Sequence, residues 1–407
     1  MISPGTNCFL PNDDPPERDF ILQQLDRVDW NFTGSRTLEQ SVHSLHWFPG
    51  NFIPEIPSFL AQIISKPGDT ILDPFCGSGT TGIEALRLGR HSLMSDVNRA
   101  GLQVAEGKLA LLQGNDISDD LLRLAQELFW DSVLRIEDRG ERGEGTNPEL
   151  ASWFDESTIA QLRFIWQLIV SLPDRRLSSV AHLLFSDTLF ACAYTPGART
   201  ASGKRRRHHW GWIADNVRPL SLVRRNAIAM FRERLFKAKD VSALLGNKKL
   251  NVGMSVHRWD ARSLPLQDSS VDAVICSPPY LNMIDYALAN RLTYLWYGWP
   301  LADDKEQEIG ARFARRRRSA VEDYLFQIKS AFGEICRCLK LGRYCAVVIG
   351  VSRPHGEELL KRFIDSVNLT GLRSIWGPSK RVPTRRRISD RKGTEPAEYL
   401  CVFERYQ

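Results

Sequence analysis

Residues 71–82, Ile-Leu-Asp-Pro-Phe-Cys-Gly-Ser-Gly-Thr-Thr-Gly, constrain the fold more than any other stretch of the chain. The short apolar run Thr70-Ile71-Leu72 leads into glycines spaced G-x-G-x-x-G. Apolar residues at helical spacing follow (Ile83, Ala85, Leu86, Leu88), stopped at Gly89. His91 to Met94 reads as a second strand that closes on Ser95-Asp96. Strand, glycine loop, helix, strand is a βαβ unit, so a parallel sheet is expected. The glycines let backbone N–H groups approach a ligand at a helix N-terminus. Asp96, at the usual offset of about 20 residues, is placed to accept from ribose hydroxyls. A plain tight turn with an incidental aspartate is the weaker reading. Asp73 narrows the ligand: a carboxylate before the glycines repels a pyrophosphate but suits a cationic sulfonium. S-adenosylmethionine is therefore favoured over NAD.

The rest of the chain extends this unit. Met254 to His257, Ala273 to Cys276, Cys345 to Ile349 and Tyr399 to Phe403 are further strand candidates, and Tyr324 to Leu339 is the clearest later helix. A helix also runs from about Ile53 to Ile64. Between residues 113 and 250 the pattern is helical, as in Leu121 to Leu134 and Ile159 to Ile169, and a basic segment from Tyr194 to Asn216 interrupts it. The expected organisation is one α/β domain split by a helical insertion: an extension (1–40), a first catalytic half (41–112), the insertion (113–250) and a second catalytic half (251–407).

With 43% hydrophobic and 25% charged residues the chain is a folder, not a disordered polymer. It has no apolar run approaching the ~20 residues of a membrane span. Its first residues have neither the basic start nor the apolar core of a signal peptide. Eight scattered cysteines in apolar company look like buried thiols, and the one Cys-x-Cys, Cys336 and Cys338, has no second metal-like pair to answer it. A soluble cytoplasmic protein without a metal is expected.

The second informative stretch is Val271-Asp272-Ala273-Val274-Ile275-Cys276-Ser277-Pro278-Pro279-Tyr280. Consecutive prolines fix the backbone and offer carbonyls without N–H groups. The result is a rigid corner at the carboxyl edge of the sheet, where α/β proteins bind ligands. Tyr280 adds a flat ring on which a base can stack.

Asp73 to Thr81 and Ser277 to Tyr280 together resemble the two signature motifs of S-adenosylmethionine-dependent DNA amino-methyltransferases, which modify cytosine N4 or adenine N6. His46-Trp47-Phe48-Pro49-Gly50-Asn51-Phe52-Ile53-Pro54 resembles the segment before the glycine loop in that family, and His257 to Ala261 resembles its third-strand motif. The resemblance implies a Rossmann-like class I methyltransferase fold. It implies cofactor contacts from Phe48, Asp73, Pro74, Phe75, Cys76, Gly77, Ser78, Gly79, Thr80, Asp96, Val97, Asp260 and Ala261. It also implies catalysis by orientation: the Ser277 hydroxyl and the Pro278 carbonyl accept from the target amine, Pro279 completes the corner, and Tyr280 stacks on the base. Ser at 277 leans toward cytosine N4, with adenine N6 the alternative. A base inside a duplex cannot reach such a corner, so it must be flipped out or single-stranded.

Net charge is +6, but basic residues bunch. Arg199, Lys204, Arg205, Arg206 and Arg207 lie in the insertion with Trp210 and Trp212 beside them; Arg315, Arg316, Arg317 and Arg318 form a second run, and Arg385 and Arg386 belong to a third. Cations with interleaved aromatics suit phosphates and a stacked base, which makes the insertion the candidate target-recognition region. Solvated loops around a small tryptophan core are the competing reading. A cognate restriction endonuclease is a candidate partner. Rival functions are an RNA base methyltransferase, a binding module without turnover and an NAD-dependent oxidoreductase.

Overall fold

A computed structural model describes residues 17–32, 41–51, 53–135, 147–193, 213–219, 221–246, 251–311, 318–351, 356–381 and 397–407. In chain order the elements are α1 (Arg18–Arg27), α2 (Glu55–Ile64), β1 (Thr70–Asp73), α3 (Thr80–Arg87), β2 (His91–Ser95), α4 (Arg99–Leu112), α5 (Ser118–Arg135), α6 (Glu156–Val170), α7 (Arg175–Ala193) and α8 (Ala227–Leu245). There follow β3 (Met254–His257), β4 (Val271–Cys276), α9 (Tyr286–Ala289), α10 (Arg291–Tyr297), α11 (Leu301–Gln307), α12 (Ala320–Cys338), β5 (Leu339–Val351), α13 (Gly356–Asn368), β6 (Leu372–Arg381) and β7 (Ala397–Arg405).

The strands form one seven-stranded sheet in the order β3-β2-β1-β4-β5-β7-β6. The pairs from β3 across to β5 are parallel, and β7 runs antiparallel to both of its neighbours. This is the Rossmann-like class I methyltransferase architecture that the βαβ unit and the resemblance predict. The chain reverses its direction of winding between β1 and β4, so the loops after these two strands splay apart and leave a crevice at the carboxyl edge.

Alternation along the central strands explains how both faces are covered. Ile71, Ala273, Ile275, Ala346 and Val348 point into a core shared with α1 and α2. Their neighbours Leu72, Val274, Cys276, Cys345 and Val347 point into a core shared with α12 and α13. Every residue of β4 is buried, Asp272 included. That carboxylate accepts from the Thr70 amide at 2.9 Å and pairs with Lys340 at 2.6 Å, so its burial is satisfied.

Helices α5 to α8 fall between β2 and β3. They share a continuous core with α3, α4 and α10, through residues such as Ile83, Val104, Leu128, Ile165, Leu184, Phe231 and Trp296. The helical stretch is therefore packed onto the sheet-bearing part rather than tethered beside it. Between Ile349 and Tyr399 the sequence shows no strand, yet β6 forms the sheet edge there. Only Leu372 and Arg381, at its two ends, are buried, so no apolar alternation marks it. The seven described cysteines are free and buried. Among the described residues no helix is long and apolar enough to cross a membrane.

Candidate active site

The glycine loop joins β1 to α3 by two left-handed residues, Gly77 (φ 48°) and Gly79 (φ 81°). Gly79 also lies where a Cβ would meet Ala105 of α4 at 2.9 Å, so only glycine fits. The Gly77 amide donates to Asp96 Oδ2 at 2.8 Å, and the Asn98 amide donates to Oδ1 at 2.9 Å. Asp96 thus stands at the tip of β2 with each oxygen held by a backbone N–H. Burial pushes its pKa up to about 6 despite these bonds. Asn98 caps α4 by accepting from the Gly101 amide at 2.8 Å. Its buried Nδ2 has no protein partner.

One wall of the crevice is Phe48-Pro49-Gly50-Asn51. The wall is fastened at both ends. His46 Nε2 lies 3.1 Å from Ser186 Oγ, and the Trp47 amide donates to Asp187 Oδ1 at 3.0 Å, both residues of α7. At the far end Ser78 Oγ donates to Asn51 Oδ1 at 2.8 Å. The fully buried Lys108 supports this join, donating to the Ser78 carbonyl and to its hydroxyl at 3.0 Å each.

The opposite side is built from the ends of β3 and β4. Trp259, Asp260 and Ala261 line the crevice. The Trp259 ring stacks on His257 with centroids 3.9 Å apart. Burial opposes ionisation of Asp260, but the Arg262 guanidinium at 2.6 Å and its amide outweigh that and hold the carboxyl below its ordinary value. After β4, Ser277 and Pro279 line the crevice. Ser277 Oγ donates to the Val348 carbonyl at 3.0 Å and lies 3.3 Å from Tyr280 Oη. The Pro279 carbonyl accepts from Tyr324 Oη at 3.1 Å, which pins the corner to α12.

The structure therefore gathers Phe48, Pro74, Phe75, Cys76, Gly77, Thr80, Asp96, Val97, Asp260, Ala261, Ser277 and Pro279 around one cavity. Asp73, Ser78 and Gly79 are not part of its lining. Asp73 is buried at the end of β1, where it accepts from the Phe75 amide at 3.0 Å, and desolvation raises its pKa to about 7. Pro278 is buried, and Tyr280 lies beside Ser277 outside the lining.

Sequence reasoning missed Asn98, Trp259, Tyr286, Gln307, Glu308 and Ile309, which also line the cavity. Asn98 and Trp259 adjoin residues of the motifs and were within reach. Residues 286 and 307–309 sit in stretches with no motif, brought in by the loops around α9 and α11. Of the basic candidates, Arg318 is exposed at the start of α12. Arg199, Lys204, Arg205, Arg206, Arg207, Arg315, Arg316, Arg317, Arg385 and Arg386 lie outside the described residues, as do Trp210 and Trp212.

Residues 22–107 match a family model described as DNA methylase. The chain is 19% identical over 417 aligned residues to the type II methyltransferase M.MjaII of Methanocaldococcus jannaschii, covering 83% of this chain and 78% of that protein. It is 25% identical over 284 residues to the type II methyltransferase M.BsoBI of Geobacillus stearothermophilus, covering 64% of this chain and 53% of that protein. Among solved structures, a SAM-dependent methyltransferase of Methanosarcina mazei aligns over 88% of this chain and 99% of its own, at 12% identity and a TM-score of 0.31.

Proposed function

We propose, on the premise that this chain is a relative of the N4/N6 DNA amino-methyltransferases, that it transfers a methyl group from S-adenosylmethionine to the exocyclic N4 of cytosine in DNA. The observation that carries the reading is that Ser277 and Pro279 open onto the same crevice as the glycine loop and Asp96. Cofactor cradle and target corner are thus within one ligand's length.

The cradle suits the cofactor. Asp96 keeps lone pairs for ribose hydroxyls, and the unpartnered Asn98 Nδ2 is a donor awaiting an acceptor. Ala261 and Trp259 offer apolar surface for adenine, and Phe48 closes the wall over Gly77, 3.3 Å from where a Cβ would sit there. Bound there, S-adenosylmethionine supplies an electrophilic methyl on its sulfonium.

The chain's own residues orient the amine. An exocyclic amine conjugated to a ring is a weak nucleophile, and acceptors on its hydrogens hold its lone pair toward the methyl. Ser277 suits this role, because a hydroxyl that donates to the Val348 carbonyl keeps one lone pair for the amine beside the one that faces Tyr280 Oη. The Pro278 carbonyl is the second acceptor, and Tyr280 supports the base. Holding the reactants in near-attack geometry contributes several kcal/mol, on the order of the 7–11 available to well-oriented systems.

Duplex DNA must present its base flipped out, and the basic segments carry the phosphate contacts in this reading, led by Arg205, Arg206 and Arg207. Replacing these three should weaken DNA binding and flatten its salt dependence. The setting is the cytoplasm, with a restriction endonuclease of the same sequence specificity as the natural partner. Incubation of the protein with methyl-labelled cofactor and DNA, followed by mass spectrometry of the nucleosides, tests the reading. N4-methylcytosine is expected. N6-methyladenine would replace the base and keep the reaction, whereas label confined to RNA would overturn the DNA substrate.

A further inference from the structure

The cavity contains a carboxyl group that no motif accounts for. Three acids line it: Asp96, Asp260 and Glu308. Asp260 is neutralised by Arg262 at 2.6 Å. Asp96 is held by two amides at the ribose end of the cradle. Glu308, just after α11, accepts from the Tyr286 amide at 3.1 Å and the Ala287 amide at 2.5 Å. These bonds fix both oxygens, so the group has one orientation.

Among the described residues no lysine or arginine pairs with Glu308, and Tyr286 and Tyr294 are its aromatic titratable neighbours. Its charged neighbours, Asp285 at the start of α9 and Asp96 at the end of β2, are both acids. Burial, with their repulsion, raises its pKa to about 8. A fixed carboxyl among like charges in a ligand cavity is stabilised when a cation arrives.

We infer that Glu308 is a cofactor-binding residue whose carboxylate meets the positive charge of S-adenosylmethionine. The inference rests on the cofactor reading above and extends it. Two groups of the cofactor carry that charge, the sulfonium and the amino-acid ammonium. Binding to Glu308 then removes its proton, so charge recognition strengthens as the pH rises toward about 8.

Calorimetric titration of the whole protein and of Glu308→Gln with three ligands tests this. S-adenosylmethionine carries both cations, S-adenosylhomocysteine only the ammonium, and methylthioadenosine neither. At pH 7.5 the variant should bind S-adenosylmethionine on the order of tenfold more weakly, the scale of one charge-assisted contact, and methylthioadenosine unchanged. A parallel loss for S-adenosylhomocysteine identifies the ammonium, and a loss for S-adenosylmethionine alone identifies the sulfonium. Between pH 6 and 7.5, where the ligand's ammonium keeps its charge, the preference for S-adenosylmethionine over methylthioadenosine should grow in the wild type and not in the variant. Equal losses for all three ligands, or none, overturn the assignment. Failure of the wild type to bind any of them would sink the cofactor reading itself.

Discussion

The ring of Tyr280 packs against Gly350 near the end of β5: a Cβ at position 350 would stand 2.2 Å from its Cε2 and 2.3 Å from its Cδ2. The aromatic that follows the Pro-Pro corner therefore packs on bare backbone, and its hydroxyl lies 3.3 Å from Ser277 Oγ. Gly350→Ala must push the ring away. Base–aromatic stacking contributes about 1–3 kcal/mol, so turnover should fall roughly 10- to 100-fold while cofactor affinity is retained. The check is a two-variant cycle. In a Tyr280→Ala background, Gly350→Ala should have no further effect, and an additive loss would place its damage elsewhere.

Ser277→Ala removes the acceptor assigned to the target amine and leaves the Val348 carbonyl without its donor. Turnover should fall far more than the affinity for either cofactor or DNA, because the contact matters in the oriented complex. Single-turnover kinetics at saturating ligand would show it. A proportional loss of cofactor binding would assign Ser277 to the cradle instead.

Asp96 carries a pH signature with two opposite signs. Its pKa in the folded protein, about 6, lies above its ordinary value of 3.8. The group therefore favours folding fully below pH 3.8, and that contribution is lost as the pH rises through about 6. Cofactor binding needs the ionised form to accept from ribose, so affinity should rise over the same interval. Asp96→Asn should bind the cofactor weakly with no rise between pH 5 and 7. Its stability in urea, relative to wild type, should improve as the pH is raised across that range. A wild-type affinity that stays flat from pH 5 to 7 would remove Asp96 from the ribose site.

Much of this site is legible in sequence because its parts are local. Strand ends with Asp96 and Ser277, and the left-handed glycines at 77 and 79, are each fixed by a few adjoining residues. The sheet is legible for the same reason, since Ile71 and Leu72, or Val274 and Ile275, alternate between two cores. What escaped depends on distant approach. Glu308 and Tyr286 reach the cavity by the packing of α9 and α11, and no spacing encodes that. Gly350 is one apolar-strand residue among many until the Tyr280 ring is seen lying on it. Edge strand β6 lacks the alternation that made the central strands visible.

The remaining prediction concerns the fastening of the wall to α7. Asp187 accepts from the Trp47 amide at 3.0 Å and from Arg234 Nε at 2.8 Å, and Arg234 belongs to α8. One carboxylate thus ties the segment bearing Phe48 to two helices of the insertion. Nearby, the buried Ser186 joins His46 at 3.1 Å to Thr293 of α10 at 2.9 Å. Asp187→Ala would leave a mostly buried guanidinium and an amide without their partner, at a cost on the order of 2 kcal/mol. Its urea midpoint should fall, and cofactor affinity with it, because Phe48 is no longer held against Gly77. Asp187→Asn keeps an oxygen for the Trp47 amide and loses only the ion pair. It should recover most of the affinity while recovering less of the stability. If Asn and Ala variants lose affinity equally, the Trp47 bond does not hold the wall and the Arg234 pair does.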